Sequence, residues 1–480
     1  MDNSPIRPIA ALAALLWTTG LPALAGDEPA SLTVEGYTDR TSYRPGESVA
    51  FHVSTTAPKF TIEISRLGSA PKVMFSRADI PGAAHSIPED ASSQGCRWPV
   101  SFRLPIPEDW PSGYYNARLR VADAGGKFVG RNRRTAEVDA FFIVRPREPG
   151  KDTPILLQLA TNTYNAYNNW GGGSLYGFHG RGNMQGHRVS FQRPLEGQFR
   201  NWELPFVVWA EKNGYTLDYC ANNDLEAHPE LLKSYKLVLS VGHDEYWSAP
   251  MRDNLEAFIG RGGNVAFLSG NTCCWQVRTE ADGAALTCWK QWYNMDPVFP
   301  KGDHRTLSTL WSHHLVGRPE NTLTGVGFLN GGYHLSHGQY MDGKGAFTSH
   351  RPDHWMLEGT GLARGDEFGA KHTVVGYECD GCELEWKDGL PYPTHRDGTP
   401  PGFTVVATAP TRWHPDDALW YDRFPRDPDG APRGGHAVLG TYTRGGTVVT
   451  AGTTDWAHGL RGGDPLVERI TRNILDRLSR

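Results

Sequence analysis

The hydrophobic period of this chain changes across one short polar joint, Pro146-Arg147-Glu148-Pro149-Gly150-Lys151-Asp152, and that change limits what either side can fold into. Before the joint, apolar and polar residues alternate in short runs: Val49 to Val53, Phe60 to Ile64, Val100 to Leu104, Tyr114 to Val121 and Phe141 to Val144. Turn formers such as Arg44-Pro45-Gly46-Glu47 and Trp110-Pro111-Ser112-Gly113 separate them. Short alternating runs with regular turns and no helical period predict strands with one buried face. Residues 26–146 therefore read as an all-β immunoglobulin-like sandwich.

After the joint, Ile155 to Ala160 is a continuous apolar run, the pattern of a strand buried on both faces of a parallel sheet. Tyr235 to Val241 and Val265 to Leu268 repeat it. Between them, Pro205 to Lys212 reads as a helix ending at Gly214, and Ser248 N-caps a helix running through Phe258, with Gly262-Gly263 past its end. In Leu466 to Leu478, Leu466, Ile470, Ile474 and Leu478 recur four apart, one face of a helix packed on a sheet. This alternation predicts a doubly wound α/β domain over residues 150–480. Residues from about 280 to 435, rich in Gly, His, Pro and Asp, read as long loop insertions around a site.

Composition excludes several functions. The net charge of −5, from 48 basic and 53 acidic residues, leaves no basic excess for a nucleic-acid partner. Residues 1–25 read as a signal peptide: Arg7, an apolar stretch from Ile9 to Trp17, and Ala23-Leu24-Ala25 as cleavage site. Export to a periplasm or the medium follows, and no later stretch is apolar enough to span a membrane once that segment is removed. Of the seven cysteines, Cys379 and Cys382 form a C-x-x-C without a second ligand pair, so a local disulfide or tight turn fits better than zinc.

In open α/β sheets, ligands bind beyond the carboxyl ends of the strands. That rule selects three segments. The first runs from Thr161 to Tyr176 and holds Tyr164, Tyr167, Asn168, Trp170, the run Gly171 to Gly173, and Tyr176. The second, Gly242-His243-Asp244-Glu245-Tyr246-Trp247, crowds titratable groups just before a helix, where shifted pKa values and metal ligation are expected. The third, Ser269-Gly270-Asn271-Thr272-Cys273-Cys274-Trp275, offers Asn271 as a polar wall and a cysteine as a competing nucleophile beside His243.

These motifs, together with Gly262-Gly263-Asn264-Val265-Ala266-Phe267-Leu268, Asp353-His354-Trp355, Gly376-Tyr377-Glu378-Cys379-Asp380-Gly381 and Gly452-Thr453-Thr454-Asp455-Trp456, fall in an order that resembles the C-terminal domain of the N,N-dimethylformamidase large (beta) subunit. The resemblance spans roughly residues 150–480. It implies a class I glutamine-amidotransferase-like fold and a mononuclear ferric (Fe3+) site made by two tyrosines and a glutamate, with a histidine beside it. On this chain Glu245 is the implied glutamate and His243 the implied histidine. One tyrosine is Tyr164 or Tyr167, and the second is Tyr176. The spacing to Tyr176 is shorter than the family leads one to expect, and Thr272-Cys273-Cys274-Trp275 stands where bulkier apolar residues are expected.

The implied chemistry is hydrolysis of an amide or related C–N bond in a small molecule. A ferric ion with phenolate and carboxylate ligands polarises the carbonyl. His243 and Glu245 are then catalytic, and Asn168, Asn271 and Trp170 line the substrate. Two other readings compete: a metal-free cysteine hydrolase or amidotransferase-like enzyme, and a non-catalytic scaffold that binds a glycan or polymer. A homo-oligomer is compatible with either domain.

Overall fold

The computed structural model describes residues 32–122, 135–334, 343–413 and 434–480. The expected signal peptide, residues 1–25, lies outside them. Residues 34–144 build two sheets. One pairs Val34–Thr38, Ser48–Thr55 and Phe102–Pro105. The other orders Ser42–Tyr43, Thr135–Val144, Gly113–Ala122, Lys59–Leu67 and Lys72–Pro81. Alternation decides the packing: Val49, Phe51 and Val53 of the first sheet meet Ile62, Ile64, Tyr115 and Phe142 of the second in one core. The strand Lys72–Pro81 carries no such signal because it is an edge, exposed along most of its length.

The parallel part of the large sheet runs Asp218–Ala221, Ile155–Leu159, Leu237–His243, Asn264–Gly270 and Gly446–Thr450. Its side chains divide by parity. Leu156, Val238, Val265 and Phe267 pack with Met251, Leu255 and Phe258 of helix Ala249–Gly260. Leu157, Leu239, Val241 and Leu268 pack with Phe206 and Val207 of helix Glu203–Lys212 and with the two C-terminal helices. Both faces are covered, which is why these strands read as unbroken apolar runs. Each fully buried Leu or Val contributes about 1.5–3 kcal/mol.

The helix starts follow from their caps. Ser248 Oγ accepts from Met251 N at 3.3 Å. Asp464 Oδ1 accepts from Leu466 N and Val467 N at 3.0 and 3.2 Å, with Pro465 opening helix Pro465–Leu478. That helix buries Val467, Ile470, Ile474 and Leu478. Leu466 is only half-buried, so the face is shifted by one residue from the spacing read in the sequence.

The stretch from 280 to 435 is more than loops. Strands Gly327–Tyr333, Phe347–Ser349, Glu378–Gly381 and Thr404–Arg412 extend the large sheet by antiparallel pairs: Thr404–Arg412 with Gly434–Arg444, Phe347–Ser349 and Gly327–Tyr333 with Thr404–Arg412, and Glu378–Gly381 with Gly327–Tyr333. Bulges and glycines interrupt their alternation, which hides them in the sequence. The extension brings Glu378 beside the end of Asn264–Gly270. At Gly270 a Cβ would lie 2.4 Å from Glu378 O and 2.5 Å from Thr454 N.

One buried acid in this extension yields a pH prediction. Glu320 is 1% exposed and its Oε2 has no hydrogen-bond partner among the described residues. Burial, with the charge of Asp380 and against that of Arg252, pushes its carboxyl up to about 8. The native state keeps a proton that the unfolded chain loses near 4.5, so stability falls as pH rises between those values, by up to about 1.4 kcal/mol per unit. Glu320→Gln is expected to flatten that fall, raising Tm at pH 9 and leaving it nearly unchanged at pH 5. Parallel melting curves of both proteins over that range would refute the assignment.

Candidate active site around Glu245

The chain leaves three parallel strands within a few residues of one another, and Glu245 sits where they meet. Its backbone is fixed first: its N–H donates to Thr163 Oγ1 at 2.9 Å and its carbonyl accepts from Trp275 N at 2.9 Å. Its carboxylate, 2% exposed, is then surrounded by donors. Trp275 Nε1 donates to Oε1 at 2.7 Å. Tyr167 donates to Oε2 at 2.9 Å, and Tyr176 reaches both oxygens at 3.0 and 3.1 Å. Tyr246 in turn donates to the Tyr176 hydroxyl at 2.6 Å.

Two tyrosines of helix Thr161–Tyr167 therefore go separate ways. Tyr167 belongs to the cluster, whereas Tyr164 donates to Glu203 in the interior and packs edge-on against Phe141. The geometry brings Tyr167, Tyr176, Glu245 and His243 together and leaves Tyr164 out.

His243 ends the strand Leu237–His243, and its Nε2 lies 3.2 Å from Glu245 and 2.8 Å from Glu378, aligned with neither carboxylate. Asn271 Nδ2 donates to the same Glu378 oxygen at 3.2 Å. Burial pushes the imidazole down, but Glu378 and Glu245 outweigh it and hold it at about 10. The same contacts, with Lys290, hold Glu245 below the usual carboxylate range despite its burial. Burial and the Glu245 charge push Tyr167 and Tyr176 well above their ordinary value, so both are neutral donors in this arrangement.

Glu378 and Lys290 complete the site, and sequence reasoning assigns neither a role. Lys290 is 1% exposed, and its Nζ has no hydrogen-bond partner among the described residues, standing 3.3 Å from the Tyr176 ring centroid and 4.7 Å from that of Trp275. Burial lowers it to about 8, against the pull of Glu245. The signal for it is a lysine inside the aromatic run Trp289 to Tyr293; that for Glu378 is the run Gly376 to Gly381.

The other expected residues serve the frame. Asn168 is occupied by Pro194 O and Trp170 N. Trp170 turns away toward Trp98 and Glu35. Asp244 accepts from Asn222 and Ser240. Cys273 and Cys274 are fully buried and burial pushes both thiols up, which removes the thiolate a nucleophile needs. All seven cysteines are free and buried, Cys379 and Cys382 included.

Among the described residues, no group of three or more His, Cys, Asp and Glu side chains is arranged to hold a metal. The set that fits an ion is of another kind. Two phenol oxygens within 2.9–3.1 Å of one carboxylate form an all-oxygen donor group suited to a hard, highly charged cation.

Comparison with known proteins gives the same region. The family described as "N,N-dimethylformamidase beta subunit-like, C-terminal" matches residues 61–470. The N,N-dimethylformamidase beta subunit of Alcaligenes sp is 24% identical over 456 residues, covering 79% of this chain and 54% of that protein. That of Paracoccus aminophilus is 24% identical over 455 residues, with the same coverage of each. The chain thus spans about half the length of the curated relatives it matches.

Proposed function

We propose an enzymatic function from one premise: the chain belongs to the N,N-dimethylformamidase beta subunit-like, C-terminal family. Our reading is an exported hydrolase of an amide C–N bond in a small molecule, with Fe3+ held by Tyr167, Tyr176 and Glu245. The observation that carries it is the convergence of both phenols on one carboxylate, beside a histidine poised between two acids. The fold we assign is a glutamine-amidotransferase-like sheet preceded by an immunoglobulin-like sandwich. Export rests on the sequence of residues 1–25.

A ferric ion supplies a hard Lewis acid for the amide oxygen. The rest falls to the chain. Tyr167 and Tyr176, as phenolates, and the Glu245 carboxylate would hold the ion with up to three negative charges. Lys290 Nζ, over the Tyr176 ring, stabilises that phenolate charge. Glu378, anchored by Asn271, accepts the proton of the attacking water. His243, kept protonated between the acids, donates to the departing amine nitrogen. This adds Glu378 to the catalytic pair read from sequence and gives His243 the donor's role.

The test is iron content with a visible spectrum of the purified protein. About one iron per chain and a broad tyrosinate-to-iron band, weakened in Tyr176→Phe, is the expected result. A colourless protein that stays metal-free after anaerobic iron loading would sink the reading.

A further inference from the structure

The segment that joins the two site tyrosines, residues 168–175, is gripped from outside by the N-terminal sheets. Trp170 Nε1 donates to Glu35 Oε1 at 2.8 Å, and its ring meets Trp98 edge-on at 5.7 Å. Gly171 and Gly173 lie on helix Ala91–Gln94. A Cβ at Gly171, where φ is +82°, would sit 3.0 Å from Ser92 N and 3.2 Å from Ala91 Cβ. One at Gly173 would sit 3.0 Å from Ser92 Oγ. From inside, Arg193, with no exposed surface, donates to Trp170 O at 2.5 Å and Gly173 O at 3.0 Å. The loop is held between a buried guanidinium and the N-terminal β region, with Tyr167 entering it and Tyr176 leaving it.

We propose that Glu35 and Trp170 are positioning residues of the active site: through them the N-terminal β region sets the separation and tilt of the Tyr167 and Tyr176 phenols. Those rings stand 4.3 Å apart at 31°, and both hydroxyls must reach one carboxylate. A shift of the intervening loop moves one phenol relative to the other. The N-terminal region then does more than accompany the α/β region. It completes the site geometry across a contact more than 130 residues long in sequence. This inference rests on the tyrosine site proposed above, so its test has a metal-free arm.

The experiment compares Glu35→Ala, Glu35→Gln and Trp170→Phe in the full chain. Glutamine keeps an acceptor for the indole N–H, while alanine does not, and phenylalanine keeps the ring without the donor. In protein labelled with fluorotyrosine, the fluorine resonances of Tyr167 and Tyr176, assigned with the Tyr→Phe variants, are expected to shift in Glu35→Ala and Trp170→Phe and return in Glu35→Gln. With iron bound, the visible band shifts in the same two variants, and kcat falls about ten- to a hundredfold with KM little changed. Unmoved resonances in folded Glu35→Ala and Trp170→Phe would overturn the inference. An iron-free wild type, with resonances that still shift in those two variants, would overturn the metal reading and leave this one standing.

Discussion

With the proposed ferric site, Glu245→Gln is expected to lower amide hydrolysis by about a thousandfold or more and to abolish iron binding. The argument is one of donors and acceptors. In the native cluster Trp275, Tyr167 and Tyr176 all point hydrogens at the Glu245 carboxylate. An amide places an NH2 group where one of them now donates: the Trp275 indole N–H cannot accept it, and a tyrosine hydroxyl must turn away from its present bond to do so. The substitution also removes one of the two carboxylates beside His243. The imidazole then loses a proton more readily, although Glu378 at 2.8 Å still retains it in part. Glu245→Asp separates charge from reach, because it keeps the first and withdraws the second by one methylene. Single-turnover hydrolysis and iron content read both variants. More than a tenth of wild-type rate in iron-free Glu245→Gln would remove the carboxylate from the mechanism.

Much of this arrangement is written locally. The unbroken apolar runs announce strands covered on both faces, and Leu156/Leu157 and Phe267/Leu268 show why, each neighbour feeding a different core. His243 and Glu245 are legible because they follow such a strand directly. What the sequence withholds is set by distant pairing. Tyr164 and Tyr167 share one motif and one helix, and only the fold decides that Glu203 takes the first and Glu245 the second. Trp170 looks like a pocket aromatic until Glu35 and Trp98 arrive from more than seventy residues upstream. Glu378 and Lys290 come from the irregular stretch, on a bulged sheet extension and at a left-handed residue with φ of 52°. Neither carries a period that could point to it.

The second large effect concerns a residue with no side chain. Gly242 has φ of +86°, a region where an L-residue costs about 1–2 kcal/mol. A Cβ there would lie 2.2 Å from Trp202 Cβ and 2.8 Å from its Cγ. Trp202 cannot give way freely, because its Nε1 is bound to Asp455 at 3.0 Å and its ring packs 5.6 Å from His243. Gly242→Ala must therefore move the strand end, adding about 1–3 kcal/mol of overpacking and displacing the histidine that follows. Gly262 supplies the comparison, with φ of +97° and no atom of the described residues within 4 Å of the place a Cβ would take. Gly262→Ala should lose about 1 kcal/mol and keep full activity, whereas Gly242→Ala should lose about 2–5 kcal/mol and most of its kcat. Denaturant midpoints and rates for the two variants decide the matter. Equal midpoints would mean that Gly242 is required for its backbone angle alone, and that Trp202 does not hold His243 in place.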